Sequence, residues 1–404
     1  MIDRSAEDSS RPWLALQAML AVQVLASMVL SAAAVLSPAV APTLGLAPER
    51  VGVFAAVAYF LAMLSGLPAG RWVAHWGGIR VSQLSLTSLA LGSVLTCWGQ
   101  AWSLLMGAGL IGVGYGLANP SATAVLARHV PKHASGLFFS MKQAGVPIGV
   151  ALSGLCMPLG LVWLGWRETA VLAALACILL AAALLTTVSR LDRPEWRSAH
   201  VEGERWWAPL QYVWRVPELR QLGLISLVYA MAQQGFVTFL VSLLHLQGGL
   251  SLPTAAGILA ASQAASTAAR IGFGHVADRW GQPGRLLGWL GVGMSLCLVF
   301  LGIAGAGGQV WLCALAALAC GTFAMGWNGV YFAELVARVP RAQLAHAAGA
   351  THFFTFTGGM CGPFFIGQWV AMGGSYVQGM FLLAVFPIVS GVLMLRAQAA
   401  SARR

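Results

Sequence analysis

Lys142 stands inside an apolar run, within Ser140-Met-Lys-Gln-Ala-Gly145, and no acidic residue lies near it in sequence. An ammonium carried into hydrocarbon costs about 2.5–3.5 kcal/mol on insertion scales, so it needs a reason. Two remain open: the lysine snorkels to the nearer surface, or it meets the negative group of a bound solute. Glu334 is an acid inside a predicted helix, in Tyr331-Phe-Ala-Glu-Leu-Val-Ala-Arg338, with Arg338 at the favourable i, i+4 spacing. Gln23, Ser27 and Ser31 form one stripe at helical spacing, and Gln234, Thr238 and Ser242 form another. An amide in hydrocarbon needs a partner, so Gln23 and Gln234 either contact a solute or bond between helices. The same pair of readings applies to Tyr59 and Gln263. His352 could carry a proton, since the ordinary imidazole pKa of about 6.5 lies near neutrality, or it could be a packing residue.

The chemistry these residues offer is binding and gating rather than bond making. No nucleophile, base and metal-ligand set is clustered, so no enzyme is expected, and neither a metal nor another cofactor. The seven cysteines lie in apolar segments and form no Cys-x-x-Cys pair. No Gly-x-x-x-x-Gly-Lys-Ser/Thr loop is present, which argues against direct ATP drive. A net charge of +11 could suggest a nucleic-acid partner, but the arginines fall in short links between apolar segments, so none is expected.

The elements that must position these residues follow from composition. Charged residues make up 9% and apolar ones 58%, against about 25% charged in soluble domains. The chain is read as an integral membrane protein. A bilayer core asks for roughly 20 apolar residues per helix. That ruler gives spans near 13–36, 50–73, 80–100, 102–128, 134–161 and 167–189, then 219–245, 254–277, 284–305, 309–337, 345–371 and 375–397. Lysine and arginine gather in the even-numbered links, with Arg50 and Arg167 on the other side, which predicts both termini in the cytoplasm and a cytoplasmic (inner) membrane location. Residues 191–217, rich in tryptophan and arginine, read as a surface-lying cytoplasmic linker. It separates six-helix halves at 12–190 and 218–398. The halves echo each other: Gly136, Gly145, Gly149 and Gly154 recur 213 residues later, and Gly112, Asn119 and Pro131 recur 209 later.

A basic, glycine-bracketed turn occurs twice. Gly274-His-Val-Ala-Asp-Arg-Trp-Gly281 has a weaker copy 204 residues earlier, Gly70-Arg-Trp-Val-Ala-His-Trp-Gly77. The pattern resembles the signature loop of the major facilitator superfamily, Gly-x-x-x-Asp-Arg-x-Gly, matched in full by Gly274, Asp278, Arg279 and Gly281; the first copy has Ala74 in place of the acid. The resemblance covers nearly the whole chain. It implies an all-α membrane fold of twelve helices in two pseudo-symmetric bundles, with the first, fourth, seventh and tenth spans lining a central cavity. It thereby adds Tyr115, Asn119, Trp327 and Asn328 to Gln23, Tyr59, Lys142, Gln234, Gln263 and His352 as candidate solute contacts. It also implies a gate made by Gly70, Arg71, Gly77, Arg80, Gly274, Asp278, Arg279, Gly281, Arg285, Glu334 and Arg338, with Glu334 pairing with Arg279 or Arg285. The arginine that many members carry in the fourth span would fall at Ala108 and is absent, as is the exporter proline at Val150. The expected function is secondary active transport of a small anionic or carboxylate-bearing solute by a monomer in lipid, with protons as candidate coupling ions. The alternatives are a proton-coupled exporter of drugs or hydrophobic metabolites and, more remotely, a transporter-like sensor or membrane enzyme.

Overall fold

A computed structural model describes residues 4–130, 135–192, 208–339 and 344–401. Most of the predicted linker and the 278 side chain lie outside the described residues. The described chain is helical throughout. The helices are α1 (Arg4–Thr43), α2 (Val51–Trp76), α3 (Gly78–Thr96), α4 (Ala101–His129), α5 (Ser135–Gln143), α6 (Gly145–Trp163), α7 (Trp166–Ala183) and α8 (Val188–Leu191). They continue as α9 (Ala208–Arg215), α10 (Pro217–Ser242), α11 (Leu252–Trp280), α12 (Pro283–Gly307), α13 (Val310–Phe323), α14 (Trp327–Arg338), α15 (Leu344–Ala371) and α16 (Tyr376–Ser401).

Nine segments among the described residues are long and apolar enough to cross a bilayer. The other three predicted spans coincide with α3, α11 and α15, helices of similar length that carry more polar side chains. Two predicted spans are interrupted. The fifth breaks into α5 and α6 at Ala144; Pro147 has no N–H to give the Gln143 carbonyl, four residues back. The tenth breaks into α13 and α14 around Gly326. Helix ends are fixed locally. Ser251 accepts from Thr254 N–H at the start of α11, and Gly281 closes that helix in the left-handed region (φ +60). Gly77, the matching glycine of the first signature copy, sits at φ +94 before α3.

The described contacts form two compact units. Unit 1 is 1–30, 60–150 and 160–206; unit 2 is 31–59, 151–159 and 207–404. Within unit 1, α3 and α4 approach at Gly92 and Gly107, each of which faces the other's backbone carbonyl. Ser82 bonds Ser121 at 3.0 Å, and Ser85 gives its proton to the Gly114 carbonyl at 2.6 Å. Within unit 2, α10 and α15 meet at Gly358 and Gly362, where a side chain would strike the Leu227 and Met231 carbonyls. Small residues let membrane helices come this close, which is where their association energy arises.

Candidate functional site

In unit 1, Lys142 lies in the last turn of α5, just before the break. Its side chain is buried (1% exposed), and its ammonium donates to Asn119 Oδ1 on α4. No carboxylate of the described residues pairs with it. Gln23 is also buried; its amide donates to Ser27 Oγ at 3.5 Å, while its Oε1 has no hydrogen-bond partner. Gly145, three residues beyond Lys142, packs against the Gln23 side chain. Lys142, Asn119 and Gln23 are thus gathered around the α5–α6 break. Tyr115, one turn before Asn119 on α4, is half-buried.

In unit 2 the amide that organises the polar core is Gln233. It accepts from Trp327 Nε1 at 2.9 Å and from Asn328 Nδ2 at 3.4 Å. Gln234, chosen from the repeat, is half-buried one residue on; sequence offered no means of separating two adjacent glutamines at similar depth. Trp327 stacks edge-on with Tyr229 and Tyr331, and Tyr331 Oη lies 3.3 Å from Thr351 Oγ1. Tyr59 and His352 both contact the Phe356 ring, at 6.3 and 6.0 Å between centroids. Gln263 on α11 is buried and donates to Ser262 Oγ at 3.1 Å.

The signature loops and their surroundings differ in what holds them. Asp192, which sequence reading missed, accepts from the backbone N–H groups of Gly78, Ile79 and Arg80 at 2.9, 2.6 and 3.3 Å. Gly70, Arg71 and Arg80 are exposed nearby, and Arg80 donates to Gln83 at 3.5 Å. At the second copy, Glu334 is buried and pairs with Arg338, whose Nε donates to it at 2.6 Å; Gln398 Nε2 donates at 3.1 Å. Arg285 instead donates to Gln282 at 2.9 Å and Arg279 is exposed, so the expected pairing of Glu334 with Arg279 or Arg285 is replaced by these local partners. Gly274 has open space around its Cα. A cavity of about 500 Å³ lies beside Glu334, lined also by Glu218, Gln221, Arg338 and Gln398.

Buried amides, a buried ammonium and broken helices within a bundle of apolar spans define a multi-pass membrane protein of the transporter type. The sequence pattern of the Major Facilitator Superfamily matches residues 19–363, and the chain belongs to that superfamily. It is 25% identical over 266 residues to a chloramphenicol efflux pump of Mycobacterium tuberculosis, a match that covers 64% of this chain and 62% of the pump. It is 23% identical over 340 residues to a Bacillus subtilis protein named as a niacin/nicotinamide transporter, covering 83% of this chain and 82% of that protein. The fold is similar to a bacterial homologue of the human lysosomal transporter Spinster in an inward-facing, occupied form (TM-score 0.78, 16% identity, 96% of this chain and 97% of that one). It is equally similar to a POT family transporter in complex with 5-aminolevulinic acid (TM-score 0.78, 13% identity, 94% and 95% covered).

Proposed function

We propose that this chain is a secondary active transporter, a monomer in the cytoplasmic membrane with both termini inside, that moves a small anionic or carboxylate-bearing solute. Alternating access of the halves 12–190 and 218–398 is its mechanism. The observation that carries the reading is the state of Lys142. It is 1% exposed and bonded to a neutral amide, so among the described residues its charge meets a dipole and no countercharge. A side chain engaged with a neighbouring helix is not reaching for the membrane surface, which weighs against snorkelling. The solute then brings the negative group, and Asn119 and Gln23 hold its polar body.

A second reading, export of drugs or hydrophobic metabolites, is favoured by the similarity to the chloramphenicol efflux pump. Gly358, Gly362 and Pro363 on α15 also resemble the glycine-proline pattern that exporters of this superfamily carry in the fifth span, where this chain has Val150 in place of the proline.

A thermal-shift screen of purified protein with carboxylic acids, their amides and amphenicol antibiotics separates the two, followed by counterflow of a labelled hit in proteoliposomes. Acids should stabilise the wild type, Lys142→Ala should lose that effect, and Lys142→Arg should keep part of it. Acid affinity unchanged in Lys142→Ala, or stabilisation by neutral antibiotics alone, would overturn the anionic reading. A hit that binds without counterflow would instead support a sensor.

A further inference from the structure

The helix α11 carries a polar line that the reading of Lys142 does not use. Gln263 is 1% exposed and Ser266 is fully buried. Gln263 Oε1 and Ser266 Oγ both lack a hydrogen-bond partner. Residues 263, 266 and 270 recur at three and seven positions, so they share one helix face. Orphaned buried polar atoms are uncommon in native proteins, and two on one face call for a water or a ligand. Arg270 continues the line one turn on. Arg270 is half-buried, and helical side chains lean toward the N-terminus, which from Arg270 is the direction of Ser266 and Gln263. On α14, Gly329 lies against the Arg270 carbonyl and adds no side chain there. The repeat-related residues 204 positions earlier are Tyr59, Ala62 and Gly66. The line is therefore not a packing device common to both halves.

We propose that Gln263, Ser266 and Arg270 form an acid-reading site in unit 2. It takes a carboxylic acid that also bears a hydroxyl, amine or amide N–H close to the carboxylate. The guanidinium matches a carboxylate with two parallel donors. Gln263 Oε1 can only accept, so it demands a donor on the ligand. Ser266 serves either group. The assignment rests on the anionic reading above and adds the donor that a bare acid lacks.

The test places Ser266→Cys in a background freed of the seven native cysteines. Its reaction rates with anionic sulfonatoethyl and cationic trimethylammonioethyl methanethiosulfonate are compared. Both reagents should react, and Arg270→Gln should lower the anionic-to-cationic ratio roughly tenfold, as loss of a nearby unit charge requires. Arg270→Lys should restore it. No reaction with either reagent, or an unchanged ratio, overturns the site. Lactate and alanine should then protect this cysteine better than propionate, and Gln263→Leu should erase that preference. Equal protection by propionate, or none by any acid, overturns the ligand class. Protection kept in Lys142→Gln but lost in Arg270→Gln would sink the reading of Lys142 and leave this site standing; the reverse result sinks the α11 site alone. If the cysteine-free chain does not fold, the same acids are scored by the unfolding midpoints of Arg270→Gln and Gln263→Leu with native cysteines in place.

Discussion

The carboxylate of Asp192 meets three consecutive backbone N–H groups that the first turn of α3 cannot satisfy by itself. Such a cap is worth about 0.5–2 kcal/mol at a helix start. Gly77 before it is at φ +94, and a side chain there would strike the carboxylate. Asp192→Ala should therefore lower the thermal unfolding midpoint of the purified protein, while Asp192→Asn, whose amide oxygen still accepts, should lower it much less. Equal losses would mean that the charge, not the cap, is what matters. Sequence could not reveal this contact, because Asp192 and Gly78 are 114 residues apart. The pair Glu334 and Arg338 was legible because both ends lie in one helical turn. Gln233 and Arg270 fall on the illegible side. The repeat points to Gln234, and nothing in the sequence separates Arg270 from the basic residues of the nearby link.

At the scale of elements, span positions were readable from apolar length, and their interruptions were not. Pro147 was visible, but a proline in a membrane span is tolerated too often to predict a break at Ala144. Gly326, which marks the other interruption, is one of 48 glycines, and composition does not rank them. Packing does. A methyl at Gly358 would collide with the Leu227 carbonyl, whereas at Gly257 on α11 it would meet nothing within 4 Å. Overpacking a close contact typically costs about 1–3 kcal/mol. Gly358→Ala should lower the unfolding midpoint in detergent, and Gly257→Ala should leave it unchanged or raise it. Equal shifts would remove the α10–α15 contact from the account of how unit 2 holds together.

For the whole molecule, the composition of unit 2 bears on the proposed transport cycle. Segments 31–59 and 151–159 belong to the first predicted half, yet they group with 207–404. They do so through backbone contacts at glycine: Gly52 against Pro363 and Gly367, and Gly154 against Ala256. Tyr59 is 6% exposed beside Gly359. If the halves 12–190 and 218–398 alternate, this seam must part once in each cycle. An equilibrium balanced within a few kcal/mol shifts when one arrangement loses a contact that the other lacks. A leucine at Gly154 or Gly52 cannot fit against those carbonyls, so it should populate the parted arrangement. The expected outcome is faster labelling of a Tyr59→Cys reporter by a membrane-impermeant maleimide from the external side when Gly154→Leu is added. Folded yield should be retained, because the contact is lost in only one of the two arrangements. The distance between cysteines placed on the two sides of that seam should lengthen in the same variant and shorten again when a stabilising solute is bound in the closed form. Identical labelling rates with and without Gly154→Leu would mean that the seam is a fixed part of the fold, and alternation of these halves would have to be abandoned.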